Sequence, residues 1–132
     1  MYAENILDHY KNPRNKGVLE NPSVTHEEFN PLCGDRIRLQ LKVDAQGTIV
    51  CARFLGTGCA ISQASASMLV EQAEGKTLKE VRAWSKEDVL DWLGIPIGPV
   101  RLKCALLALD TLKNALEILN KMNPSVVQGA RP

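Results

Sequence analysis

An α+β fold, with helices covering one face of a small antiparallel sheet, is the architecture this sequence predicts. Three observations carry that expectation. Apolar and polar residues alternate strictly from Asp35 to Val43, and a leucine-rich helical stripe runs from Leu102 to Leu119. The strand-like segments are grouped ahead of the long helical stretches, with no βαβ alternation.

Taken in order, Glu4 to Lys11 places Ile6, Leu7 and Tyr10 at helical spacing, and Pro13 followed by Gly17 ends the pattern, so a short amphipathic helix opens the chain. Val18 to Leu32 is polar, contains Pro22 and Pro31 and has no period; it reads as an irregular connection. From Asp35 to Val43, Ile37, Leu39, Leu41 and Val43 alternate with Arg36, Arg38, Gln40 and Lys42, the pattern of a strand with one wet face. Asp44 to Gly47 turns the chain, and the β-branched and aromatic run Thr48 to Leu55 returns as an antiparallel partner, giving a meander of two or three strands. Ala60 to Glu74 carries Ile61, Ala64, Met68 and Leu69 among many small residues, a helix that Gly75 closes with a left-handed cap. Thr77 with Glu80, and Ser85 with Asp88, are capping boxes that open two short helices, the second ended by Gly94. Beyond the hinge from Gly94 to Pro99, Leu102, Ala105, Leu106, Leu109, Leu112, Leu116 and Leu119 form the stripe of the main core helix. Residues 123–132 have two Pro, one Gly and no period, and read as a disordered tail.

The 132 residues are 45% hydrophobic and 23% charged, which suits one globular domain over 1–132. A net charge of +1, with acids and bases interspersed, provides no field for a polyanion and argues against nucleic acid. Met1 to His9 contains no apolar signal core, and no apolar run nears the roughly 20 residues a bilayer span requires. A cytoplasmic protein without membrane attachment is expected. Its four cysteines are then reduced, which makes metal binding or thiol chemistry the default over disulfides.

Three of those cysteines sit at element boundaries, where a side chain is both exposed and held. Cys33 lies in the turn Asn30-Pro31-Leu32-Cys33-Gly34-Asp35, and Asp35 follows closely enough to serve the same site. Cys59 ends Gly56-Thr57-Gly58-Cys59 at the expected start of a helix, whose free N–H groups favour a thiolate. Cys104 lies in the opening turns of the long helix that Pro99 begins, beside Arg101 and Lys103. Spacing alone leaves two readings open: a shared metal site, or cysteines packed as small hydrophobes, since the CxxC signature of a zinc site is absent. Cys51, inside the return strand, reads as structural, and His9 and His26 as packed or solvated. Gly56-Thr57-Gly58 imitates a dinucleotide-binding turn, but Ile61 occupies its third glycine position and the preceding strand belongs to a hairpin.

Four segments together resemble the family of IscU, SufU and the NifU N-terminal domain. They are Glu4 through Asn15 (ENILDHYKNPRN), Asn30-Pro31-Leu32-Cys33-Gly34-Asp35, Gly56-Thr57-Gly58-Cys59-Ala60-Ile61-Ser62 and Arg101-Leu102-Lys103-Cys104, and the likeness extends from Tyr2 to about Leu119. The resemblance implies that Cys33, Asp35, Cys59 and Cys104 meet at one exposed end as ligands of a transient [2Fe–2S] cluster, or of zinc in the protein as isolated. It further implies sulfur delivery by a cysteine desulfurase, with Cys104 the candidate persulfide acceptor, and transfer of the cluster to acceptor proteins. Thiolates are soft ligands and a carboxylate a harder one, so Asp35 is expected to be the exchangeable ligand. Arg36, Arg101 and Lys103 are expected to offset part of the site's negative charge. Lys103, where IscU-like members carry histidine, matches the SufU-like branch; the 44 intervening residues 60–103 match the shorter IscU-like length. A scaffold and a zinc-dependent sulfurtransferase are thus both implied, and Ile97-Gly98-Pro99-Val100-Arg101 matches only loosely the segment by which a chaperone recognises IscU-like proteins.

Overall fold

A computed structural model describes residues 4–31 and 34–122. Eight elements follow one another: α1 (Glu4–Lys11), β1 (Val24–Asn30), β2 (Asp35–Val43), β3 (Ile49–Thr57), α2 (Ala60–Ala73), α3 (Leu78–Arg82), α4 (Lys86–Leu93) and α5 (Pro99–Met122). The three strands form an antiparallel meander in the order β1-β2-β3. The α+β expectation holds. The tail expected at 123–132 lies outside the described residues.

One expectation fails. Val24 to Asn30, read as part of an irregular connection, is a full strand paired with β2 along its length. Its inward positions are His26 and Glu28, which face across to Leu39 and Ile37 in register. They satisfy each other at 2.5 Å, and Glu28 also accepts from Asn114 Nδ2 of α5 at 2.8 Å. A polar pair does here what apolar side chains do elsewhere in the sheet, so the alternation that announces a strand is missing.

The inward face of the sheet presents Ile37, Leu39, Leu41, Ala52 and Phe54, all at most 1% exposed, to α2 and α5. α5 buries Ala105, Ala108, Leu112, Ala115 and Leu116 and is covered on more sides than a surface helix, because α2, β1 and β2 all pack on it. α2 is buried almost all round, and its small residues allow close approach: Ser65 Oγ donates to the Ala105 carbonyl of α5 at 2.7 Å. Its C-terminal end is tied to the sheet by Glu74, which accepts from the Ala52 N–H and from Arg53. Gly75 beyond it takes φ +88° as the left-handed cap. Both capping boxes form, Thr77 with Glu80 and Ser85 with Asp88, and Gly94 closes α4 at φ +76°.

α1 packs on α2 through buried Ile6 and His9. His9 Nδ1 lies 2.8 Å from Ser67 Oγ, which also accepts the Arg14 N–H, and Nε2 lies 3.6 Å from Glu71. Burial, seconded by the charge of Arg14, holds the His9 pKa below the usual 6.5. The folded state therefore resists a proton that the unfolded chain accepts, so His9's contribution is complete above about pH 6.5 and declines as pH falls through the lowered value. Urea midpoints should drop between about pH 7.5 and about pH 5.5, and His9→Gln should flatten that drop. An unchanged slope in the variant would contradict the assignment.

Candidate metal centre

The strand ends and helix starts that position the site all lie at one edge of the molecule. Asp35 is the first residue of β2 and pairs with Asn30, the last of β1. Cys33 itself lies outside the described residues. On the other side of β2, Arg36 pairs with Thr57 at the end of β3, so Gly58 and Cys59 follow directly beside Asp35. Cys59 is the N-cap of α2; its carbonyl accepts from the Gln63 N–H and Ser62 Oγ, while its side chain makes no capping bond. α5 runs back across the sheet from Pro99 and brings Cys104, in its second turn, to the same place.

Asp35, Cys59 and Cys104 each offer one ligand atom, and all three atoms lie within 4.8 Å of one another. Asp35 is fully buried, Cys104 is 5% exposed and Cys59 is partly open. The two carboxylate oxygens of Asp35 have different duties: Oδ1 accepts the Cys59 N–H at 2.9 Å, and Oδ2 accepts from the Cys59 thiol at 3.7 Å. One oxygen is held by the fold and the other is turned to the sulfur. Tetrahedral zinc, with Zn–S near 2.3 Å and Zn–O near 2.0 Å, requires neighbouring sulfur and oxygen ligands about 3.6 Å apart. The 3.7 Å between Cys59 Sγ and Asp35 Oδ2 matches that spacing, and Cys104 lies within 4.8 Å of both.

Close approach explains both glycines of Gly56-Thr57-Gly58. A Cβ on Gly58, which has φ +137°, would lie 2.0 Å from Asp35 Oδ1 and 2.9 Å from Asp35 Cα. A Cβ on Gly56 would lie 2.8 Å from the Arg36 carbonyl oxygen and 2.8 Å from Ile37 Cδ1. The glycines let strand, carboxylate and helix start crowd together; the strand they end is antiparallel to its neighbour, as a nucleotide-binding turn's is not.

The remaining candidates separate by position. Cys51 lies opposite Lys42 on the outer face of the sheet, about 20 Å along β3 from Thr57 at the usual rise per residue. His9 and His26 are engaged with Ser67 and Glu28 as described. Arg101 and Lys103 are exposed on the first turns of α5. Arg36 is turned to the outer face, where it pairs with Glu27 at 3.2 Å and lies over the Phe29 ring at 5.3 Å. The sequence reading gives Gly58 no part in the site; a glycine immediately before a candidate ligand is a signal, but its meaning depends on a strand distant in the chain.

Residues 1–124 match the family of the NifU-like N-terminal domain. The chain is 42% identical over 134 residues to the zinc-dependent sulfurtransferase SufU of Bacillus subtilis, covering 88% of this chain and 89% of that protein. It is 39% identical over 118 residues to the iron–sulfur cluster assembly scaffold protein IscU of Escherichia coli, covering 87% and 91%. A crystal structure from Fervidobacterium islandicum, described as a cluster assembly scaffold protein for the SUF system, superposes with a TM-score of 0.71 at 34% identity, covering 86% of this chain and 95% of that one. The N-terminal part of a NifU-like protein from Brucella abortus shares the fold, with a TM-score of 0.75 at 21% identity.

Proposed function

This chain belongs to the NifU-like N-terminal domain family, and we propose that within it the chain is an iron–sulfur cluster assembly scaffold, with Cys33, Asp35, Cys59 and Cys104 as the ligand set. The observation that carries this reading is the convergence of Asp35, Cys59 and Cys104 within 4.8 Å at one edge of the sheet. A cysteine desulfurase supplies sulfur as a persulfide. Cys104 attacks its terminal sulfur, a new S–S bond forms on Cys104, and the desulfurase thiolate leaves. Two electrons, drawn from ferrous iron and a thiol reductant, then cleave the S–S bond on Cys104, regenerating its thiolate and releasing sulfide; two such sulfides and two irons make the [2Fe–2S] cargo handed on to acceptor proteins. Three thiolates hold the cargo firmly, while the harder Asp35 carboxylate, steadied through Oδ1 by the Cys59 N–H, is the ligand that releases first. Arg36, Arg101 and Lys103 bring positive charge within a few residues of these ligands.

A second reading, a zinc-dependent sulfurtransferase, is favoured by Lys103 immediately before Cys104 and by the 42% identity to SufU. In it, zinc is the resident ion of the same four residues and Cys104 passes sulfur on without building a cluster. Anaerobic incubation with a cysteine desulfurase, cysteine and ferrous iron separates the two. A protein-bound visible chromophore is expected. Retained zinc with faster desulfurase turnover and no chromophore would favour sulfur transfer, and neither response would remove both readings.

A further inference from the structure

Two serines of α2, one helical turn apart, donate to the main chain at or beside two of the three clustered ligands. Ser62 Oγ bonds the carbonyl of Cys59 at 3.1 Å, and Ser65 Oγ bonds the carbonyl of Ala105, the residue after Cys104, at 2.7 Å. Both serines are sealed from water, at 0% and 1% exposure. A hydroxyl buried this deeply loses its hydration, and alanine, which α2 carries at the equally buried Ala64 and Ala66, avoids that loss with better helix propensity. Neither carbonyl needs the extra donor. That of Cys59 already accepts the Gln63 N–H at 3.1 Å, and that of Ala105 lies inside α5, where the N–H four residues on serves it.

What the hydroxyls add is a connection between the segments that bear the ligands. Asp35 Oδ1 holds the Cys59 N–H at 2.9 Å, so with Ser62 on its carbonyl the main chain of this ligand is fixed on both sides. Ser62 Oγ in turn accepts from Gln63 Nε2 at 3.3 Å, which leaves its own proton to the Cys59 carbonyl. Gln63 is wedged against the sheet end, with Oε1 at 3.0 Å from where a Cβ on Gly56 would lie. Ser65 then ties the same helix directly to the main chain of α5 beside Cys104. A slide or roll of α2 against α5 would stretch the Ser65 bond and carry Cys59 away from Cys104. Thr111 provides the contrast: fully buried, it donates to the Leu107 carbonyl at 2.7 Å, a bond inside α5 that touches no ligand residue.

We propose that Ser62 and Ser65 are positioning residues that set the separation of the Cys59 and Cys104 sulfurs, so that a metal meets two thiolates already spaced for it and leaves them slowly. The proposal rests on the ligand set given above. Its test compares the wild type, Ser62→Ala/Ser65→Ala and Thr111→Val, each loaded with zinc and separately with cobalt(II). The double variant should still bind one equivalent of metal but release zinc to a chelator about tenfold faster, and the visible ligand-field bands of its cobalt(II) form should change in position and intensity. Each single serine variant should give part of the acceleration, so the result does not depend on the double variant folding. Thr111→Val loses an equally buried hydroxyl bond and should lower the urea midpoint, yet keep the release rate and the cobalt spectrum of the wild type. If the serine variants lost stability alone, with release rate and spectrum unchanged, the two hydroxyls would be packing groups and the ligand set would stand. A wild type that takes up neither metal would remove the ligand set and this proposal together.

Discussion

Gly58→Ala should dismantle the ligand cluster while leaving the sheet and helices formed. The added Cβ would meet Asp35 Oδ1 at 2.0 Å, Cγ at 2.7 Å and Cα at 2.9 Å, and these atoms are not the free end of a flexible chain. Asp35 is fully buried at the start of β2, so its carboxylate has no open space to swing into. Any shift that relieves the clash breaks the bond from the Cys59 N–H, leaving a buried anion short of a donor at a cost of about 1–3 kcal/mol. The φ of +137° adds backbone strain of about 1–3 kcal/mol for alanine. A loss of roughly 3 kcal/mol or more in urea unfolding should therefore accompany lost zinc binding in a chelator competition. Gly75→Ala is the matched control: its φ is +88°, but its Cβ would meet nothing within 4 Å, so it bears backbone strain alone and keeps the metal. If Gly58→Ala were no worse than Gly75→Ala, the crowding of Asp35 would not be what the glycine serves.

Cys104→Ser should separate metal holding from general stability. The exchange of sulfur for oxygen is nearly isosteric, and at 5% exposure within α5 it leaves the helix and its packing in place. A structural zinc site binds with about 10–16 kcal/mol, so one of four ligands carries roughly 3 kcal/mol, and affinity should fall on the order of 100-fold. Cys59→Ser should weaken zinc to a similar degree. The two variants should differ in persulfide labelling after incubation with a desulfurase, which Cys104→Ser abolishes and Cys59→Ser preserves. Cys51→Ser, on the far part of the outer face, should change neither quantity. Zinc affinity in Cys104→Ser equal to that of the wild type would remove Cys104 from the ligand set.

What could be read from the residues followed from how directly each element writes its environment into its sequence. β2 was legible to the residue, because one wet and one dry face produce strict alternation from Asp35 to Val43. The short helices were legible from the reciprocal bonds of Thr77 with Glu80 and Ser85 with Asp88, which are local. β1 was not, since His26 and Glu28 fill inward positions and are satisfied by each other and by Asn114, 86 residues distant from Glu28. The site divides in the same way. The N-cap position of Cys59 and the helix start before Cys104 are local and were expected. That a carboxylate at the start of β2 shares one 4.8 Å cluster with them depends on sheet register and on the path of α5, which only the family resemblance anticipated.

In the proposed function this edge of the sheet holds its metal in one site of mixed sulfur and oxygen ligation. X-ray absorption at the zinc edge, on protein loaded with one equivalent of zinc, tests it most directly. The expected first shell is three sulfurs near 2.3 Å and one oxygen near 2.0 Å, with the oxygen contribution altered in Asp35→Ala. A shell dominated by histidine nitrogen, or one identical in the wild type and Asp35→Ala, would contradict it.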